Sequence, residues 1–326
     1  MKVSISTTTY NREHLLPRTV NSVLSQTFAD FEYWITNNGS TDNTQDLIDH
    51  YCREDKRVRS ISYPVNRTDS KAQSERRQMR QEWILKHNPK YQPPPYCMTI
   101  DDDDFMEPNT LETLYRMITE YDADIASVGC KYVYQDGTTK DKFVFDGIYV
   151  FSRIEAMVEM LKREKFNVSM GGKLFRREIL EIEDPKVKKI RDIHRGYRRM
   201  NRICRMVATG EPLYYFYRHD SNKSGLETEK QITPDRMRQH LEANTIRTEW
   251  LTKHMPEIKD FVFYCELSFM ISMYERIYRL NVQSCFDIAQ EMKDILTQNS
   301  VFLSECTFCT EREKEILKAN KILTIL

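Results

Sequence analysis

The chain is poor in residues that break regular structure. It has 9 Gly and 11 Pro in 326 residues, which excludes collagen-like and low-complexity organisation. It has no charge surplus: 49 Lys and Arg stand against 49 Asp and Glu. A protein that coats a polyanion carries a basic excess, so nucleic acid is not an expected partner. No apolar run approaches the roughly 20 residues that cross a bilayer; the richest stretch, 261–278, is interrupted by Glu266 and Glu275. The opening MKVSISTTTYN enters alternating β-type sequence without the apolar core of a signal peptide. The 8 Cys are scattered, as reduced thiols are and disulfide frameworks are not. Cys306 and Cys309 have metal or redox spacing, yet no second pair or His stands near them, and ordinary thiols are the plainer reading. These absences predict a cytoplasmic protein, at most peripheral at a membrane.

What is present is a foldable chain. Hydrophobic residues make up 40% and charged residues 30%, enough apolar content for a sizeable core. The length suits one large domain or two ordinary ones. Short β-like runs at 3–6, 31–36, 58–62, 96–100 and 125–134 alternate with helical patterns. That alternation predicts an α/β fold, a mostly parallel sheet flanked by helices. One helix is expected over 15–24, with Leu16, Val20, Val23 and Leu24 on one face. A second opens at Ser40-Thr41-Asp42, a polar third covers 70–87, and a fourth follows Asn109. Residues 135–138 read as a hairpin turn, Ser152 as the cap of a helix to about 162, and 213–217 as a strand. From Thr233 onward the pattern is helical. This places a catalytic α/β domain at 1–230 and a helical region at 231–326.

The sharpest chemical feature is Asp101-Asp102-Asp103-Asp104, directly after the strand-like run 96–100. In open α/β sheets ligands bind beyond the carboxyl ends of the strands. Adjacent carboxylates raise one another's pKa. A divalent cation removes that cost, and carboxylate oxygens suit Mg2+ or Mn2+. No Walker loop and no Gly-x-Gly-x-x-Gly is present, so a phosphate-bearing ligand would lean on the metal and on basic side chains. The first two strands lead into Thr8-Thr9-Tyr10-Asn11-Arg12 and Asn37-Asn38-Gly39-Ser40-Thr41-Asp42, on the same expected edge. There Tyr10 can stack on a base and Asn38 can read its edge.

These stretches, with Ser22-Val23-Leu24-Ser25-Gln26-Thr27-Phe28, Glu107-Pro108-Asn109-Thr110-Leu111 and Gly172-Lys173-Leu174-Phe175-Arg176-Arg177, occur in one order over about residues 1–225. In that order the chain resembles a family 2 glycosyltransferase with the GT-A fold. The resemblance implies transfer of a sugar from a nucleoside-diphosphate donor, UDP type, to a hydroxyl acceptor, with inversion at the anomeric carbon. It implies that Thr8, Tyr10 and Arg12 line the base and ribose pocket, that Asp101 touches the ribose with Asp102 beside it, and that Asp103 ligates Mn2+ or Mg2+. Arg76 and Arg77 best match the arginine that approaches the phosphates. Asp192 matches the general base, with Arg191 where the family usually has Glu. Asn37-Asn38 stands where the family usually has Asp-Asp, the second of which accepts a hydrogen bond from the base; Asn38 can accept or donate, so cytosine or another base stays open beside uracil.

Arg218, His219 and Lys223 fall in a loop resembling the one that closes over the diphosphate. The basic run 186–205 suits a solvated helix or an acidic acceptor or membrane face. The family's processive members carry Gln-x-x-Arg-Trp, which is absent, so single addition to a glycan or lipid-linked acceptor is expected. The pathway expected is glycan or surface polysaccharide synthesis. The C-terminal helices are expected to form core or to contact the acceptor, a membrane or a second copy, giving a homo-oligomer. The competing readings are an inactive sugar-nucleotide-binding scaffold of the same fold and a nucleotidyltransferase.

Overall fold

The computed structural model describes residues 1–66, 70–180, 190–219, 226 and 228–323; within these, the side chains of 70–74, 76, 77 and 191 fall outside the described set. The chain gathers into two compact units, one of Met1–Lys188 with Arg198–Asp220, the other of Lys189–Tyr197 with Ser221–Leu326.

The first unit is built on one sheet. Strands β1 (Val3–Thr9), β2 (Phe31–Asn37), β3 (Val58–Ser62) and β4 (Tyr96–Thr99) are its parallel block, in the order β3-β2-β1-β4. Val3 pairs with Phe31 and Thr9 with Asn37, while Ser6 pairs with Thr99. The carboxyl ends of β1, β2 and β4 therefore reach one edge. Beyond β4 come β9 (Lys173–Arg176), β6 (Ile125–Tyr134), β10 (Arg205–Arg218) and β5 (Phe105–Met106), with β7 (Thr139–Lys142) on β6 and β8 (Ile148–Ser152) on β10. Here β6 and β10 are parallel and the other pairings antiparallel. The sequence pattern predicts the run 125–134 in the same parallel sheet; in the structure parallel pairing is confined, among the described residues, to the β1–β4 block and to β6 with β10, and β6 joins the block through the antiparallel β9.

Helix α1 (Leu16–Leu24) buries Leu16, Val20 and Val23, and α4 (Thr110–Glu120) buries Leu111, Leu114, Met117 and Ile118. These side chains meet Ile5, Ile35, Met98, Leu174 and Val207 of the sheet in one core. Each such burial is worth about 1.5–3 kcal/mol. Helix α2 (Thr44–Glu54) begins later than Ser40-Thr41-Asp42 suggested. Asp42 instead accepts from the backbone N–H groups of Thr44 and Glu13, bracing the loop that precedes the helix. The polar helix α3 (Ser70–His87) holds the sheet through Trp83 and Ile84 against Trp34, Ile61 and Tyr63. Helix α5 (Arg153–Lys162) starts at the Ser152 cap, closed by a capping box with Glu155.

The second unit is helical. It contains α7 (Pro234–His254), α8 (Lys259–Arg279), α9 (Phe286–Gln298), α10 (Ser300–Glu305) and α11 (Glu311–Ala319). Thr233 caps α7, and Thr310 with Glu313 forms a capping box on α11. The 21 residues of α8 bury Leu267, Met270, Ile271 and Ile277. No helix among the described residues is long and apolar enough to cross a membrane. Of α6 (Arg191–Met200), residues 191–197 belong to this unit.

Candidate active site

The aspartate run begins where β4 ends. Ile100 donates its N–H to Ser6 O at 3.1 Å, and its carbonyl accepts from the Thr7 hydroxyl at 2.9 Å. The strand end is thereby fixed to β1. Asp104 N–H reaches back to Asp101 O at 3.2 Å, which curls the four residues into a turn.

The turn divides the carboxylates by role. Asp104 points inward and is 3% exposed. It accepts from the Tyr214 hydroxyl at 2.7 Å and from the Tyr217 N–H at 3.1 Å. Burial, followed by the charges of Asp101 and Asp103, pushes its carboxyl well above the usual range. Asp102 is half-buried, and burial, followed by the charge of Asp103, raises its carboxyl too; Arg12, 3.7 Å away, and the Tyr10 N–H act the other way. Asp103 Oδ2 lies 2.9 Å from His219 Nε2, and Asp103 O accepts from Arg18 at 2.8 Å. The Arg18 guanidinium stacks on Tyr217 at 3.9 Å and on Phe105 at 4.6 Å. Asp101 is exposed.

The loops after β1 and β2 are braced to each other. Asn11 takes a left-handed φ of 51°, which Asn tolerates better than most residues. Its N–H donates to Ser40 Oγ and its Oδ1 accepts from Thr41 N–H. Arg12 N–H donates to Thr44 Oγ1 at 2.9 Å. Asn37 spends its amide on the fold: Oδ1 accepts from Ser40 N–H and Nδ2 donates to Gln45. Asn38 N–H binds Thr9 O at 2.8 Å. Tyr10 and Arg12 are half-buried and Thr8 is exposed at the end of β1.

The structure thus gathers the Thr8–Arg12 segment, Asn38 and the aspartates on one edge, with His219 on Asp103. Arg218 departs from the expected grouping: its guanidinium lies 4.2 Å over the Tyr132 ring. Arg76 and Arg77 lie on α3, with side chains outside the described residues, as is Lys223. Asp192 is exposed in the first turn of α6, within the second unit. Sequence reading missed Arg18 and Tyr214, whose partners lie far along the chain.

A divalent cation finds suitable donors here. Asp103 offers a carboxylate oxygen next to an imidazole nitrogen, 2.9 Å apart. Among the described residues no group of three or more His, Cys, Asp or Glu side chains gathers. Mg2+ needs no such cage, since one or two carboxylates with substrate phosphates and water complete its shell. The residues present therefore fit a cation shared with a phosphate ligand.

The sequence model of the family described as Glycosyl transferase family 2 matches residues 4–182. The glycosyltransferase GlyA of Streptococcus pneumoniae is 25% identical over 189 residues, 55% of this chain and 25% of GlyA. GlyG of the same organism is 26% identical over 232 residues, 68% of this chain and 72% of GlyG. The putative teichuronic acid biosynthesis glycosyltransferase TuaG of Bacillus subtilis is 29% identical over 145 residues, 44% of this chain and 52% of TuaG. Among solved structures, S. aureus TarS superposes with a TM-score of 0.60 at 17% identity, over 97% of this chain and 50% of the TarS chain. TarS 1–349 in complex with UDP-GlcNAc gives 0.58 at 15%, over 97% and 84%. The chain thus spans a quarter of GlyA and half of the longer TarS chain. The TarS likeness establishes the fold: mixed α/β with a central sheet and C-terminal helices.

Proposed function

Because the chain belongs to glycosyl transferase family 2, we propose that it is a glycosyltransferase that moves a sugar from a nucleoside diphosphate to a hydroxyl acceptor. The transfer is inverting, depends on a divalent cation, and is non-processive, adding a single sugar to each acceptor. A UDP-type donor is supported by the UDP-GlcNAc complex of the similarly folded TarS. A role in glycan or surface polysaccharide assembly is supported by the name of TuaG.

The observation that carries the reading is the aspartate turn at the carboxyl edge of β4, tied to the β1 loop through Arg12 and Tyr10. In this reading Tyr10 stacks on the base, Asn38 meets its edge, and Thr8, Arg12, Asp101 and Asp102 enclose the ribose. Asp103, with His219 beside it, holds Mn2+ or Mg2+. When bound, that cation neutralises charge building on the diphosphate as it leaves. Arg76 and Arg77 add cationic groups toward the phosphates, whereas Arg218, seated over Tyr132, is left out of the reading. An acceptor hydroxyl titrates far above neutrality, so a carboxylate must take its proton as the new bond forms. Asp192 is assigned that task, worth about 10²–10⁴-fold. Attack from the face opposite the diphosphate gives inversion.

Donor hydrolysis tests the reading. With Mn2+ present, a UDP-sugar releases UDP slowly without acceptor, and Asp103→Ala abolishes the release. Undiminished release by Asp103→Ala contradicts it.

A further inference from the structure

The aspartate turn is gripped by a residue of α1 to which no part of the chemistry above gives a task. We propose that Arg18 is a positioning residue for the cation site: it fixes Asp103 by its main chain and, through Tyr217, brings His219 to the Asp103 carboxylate. The inference rests on the donor reading above and names what aligns its cation site.

The guanidinium belongs to a continuous stack. Phe105 and Tyr215 are register partners of β5 and β10, and their rings lie face to face, centroids 4.7 Å apart and planes 9° from parallel. Arg18 sits 4.6 Å over Phe105 and 3.9 Å over Tyr217. Tyr215 and Tyr217 alternate onto one face of β10. The Tyr217 ring is 5.5 Å from that of His219, and His219 Nε2 ends the row 2.9 Å from Asp103 Oδ2. From the middle of the row Arg18 Nη2 donates to Asp103 O at 2.8 Å. The next residue of α1, Thr19, donates to Asp104 O at 2.7 Å. Asp103 is therefore held twice, at its carbonyl by Arg18 and at its carboxylate by His219, and both holders rest on the same Tyr217 ring.

The slot suits arginine and no other cation. Arg18 Nε is buried and finds no hydrogen-bond partner among the described residues; the ring faces on both sides stabilise that part of the charge. A planar guanidinium fills the space between two rings and still turns an N–H toward a carbonyl. An ammonium is a compact, strongly hydrated point charge and cannot do both. The cation explains why such care is taken with one aspartate. Mg2+ demands near-ideal octahedral geometry, and a binding constellation works only when its donors are held to within about 0.5 Å. Loss of Arg18 frees the Asp103 main chain and loosens the ring on which His219 rests.

Calorimetric titration of the full chain with UDP, in Mn2+ and in EDTA, is the test. The quantity read is the Mn2+ enhancement, the ratio of the two affinities. Arg18→Met keeps an unbranched stem and loses the planar charge. It is expected to cut the enhancement about tenfold, the scale of one hydrogen bond with a stacked cation, and to leave UDP affinity in EDTA as in the wild type. Arg18→Lys should lose the enhancement as well. Tyr217→Leu removes the shared ring from the other side and should reproduce the loss with Arg18 intact. In an Asp103→Ala background Arg18→Met should cost nothing further, because the carboxylate it positions is gone. An unchanged enhancement in Arg18→Met overturns the inference and leaves the donor reading standing. So does an equal loss of UDP affinity in EDTA, or the same cost in Asp103→Ala; either makes Arg18 a general support of the fold. A wild type that binds UDP equally in Mn2+ and in EDTA overturns the cation reading and this inference with it.

Discussion

The Asp104 carboxylate takes a 2.7 Å hydrogen bond from the Tyr214 hydroxyl, a residue 110 positions further along the chain. Both side chains are buried. The bond joins the aspartate turn to β10, and the Tyr217 N–H on the other Asp104 oxygen repeats the link. Two residues beyond Tyr217, His219 reaches Asp103. The carboxylate that faces inward thus sets the geometry of those that face out.

Tyr214→Phe removes one donor from a buried carboxylate and leaves the packing nearly intact. The expected loss of stability is about 1–3 kcal/mol, read by urea denaturation. A variant as stable as the wild type would show that the bond does not anchor the turn.

Much of this architecture is legible in the sequence, for a definite reason. Strands β3 and β6 and helices α3 and α5 fall on the residues that periodicity and the Ser152 cap mark out. Their signals lie within a few neighbouring residues. Strand β9 is four residues after a Gly-Gly turn, and β5 is two. Neither is long enough to show a period of two. The first half of β10 is concealed by Gly210 and Pro212, where its register against β6 shifts. The site divides likewise. Four consecutive aspartates announce themselves, but the inward turn of Asp104 depends on Tyr214, and the seat of Arg18 depends on Tyr217. Contacts between residues a hundred or more positions apart leave no local pattern.

Asp192 carries the assignment of general base. Asp192→Asn should bind UDP as the wild type does and lose sugar transfer by about 10²–10⁴-fold. Calorimetry with UDP and a transfer assay check the two halves separately. Normal transfer would remove Asp192 from the mechanism.

Lys173 supplies a pH prediction. Its ammonium is buried, donates to Ser169 O at 2.6 Å, and is pushed down by burial from 10.5 to about 8. Between these values the unfolded chain binds the proton and the folded chain does not, so stability from this group rises with pH across that window. Below it the buried charge costs up to roughly 3 kcal/mol. The stability of Lys173→Met relative to wild type should therefore fall steadily as pH rises from 8 to 10.5. Denaturation curves at several pH values measure the difference. A constant difference would contradict the burial account.

The central claim is that Asp103 and a divalent cation together hold the donor diphosphate. Calorimetric titration of UDP in Mn2+ and in EDTA, for wild type and Asp103→Ala, tests it most directly. The account predicts binding by the wild type in Mn2+, with a large loss in EDTA and the same loss in Asp103→Ala whether or not Mn2+ is present. UDP affinity unchanged by EDTA, or by the loss of the Asp103 carboxylate, would contradict it.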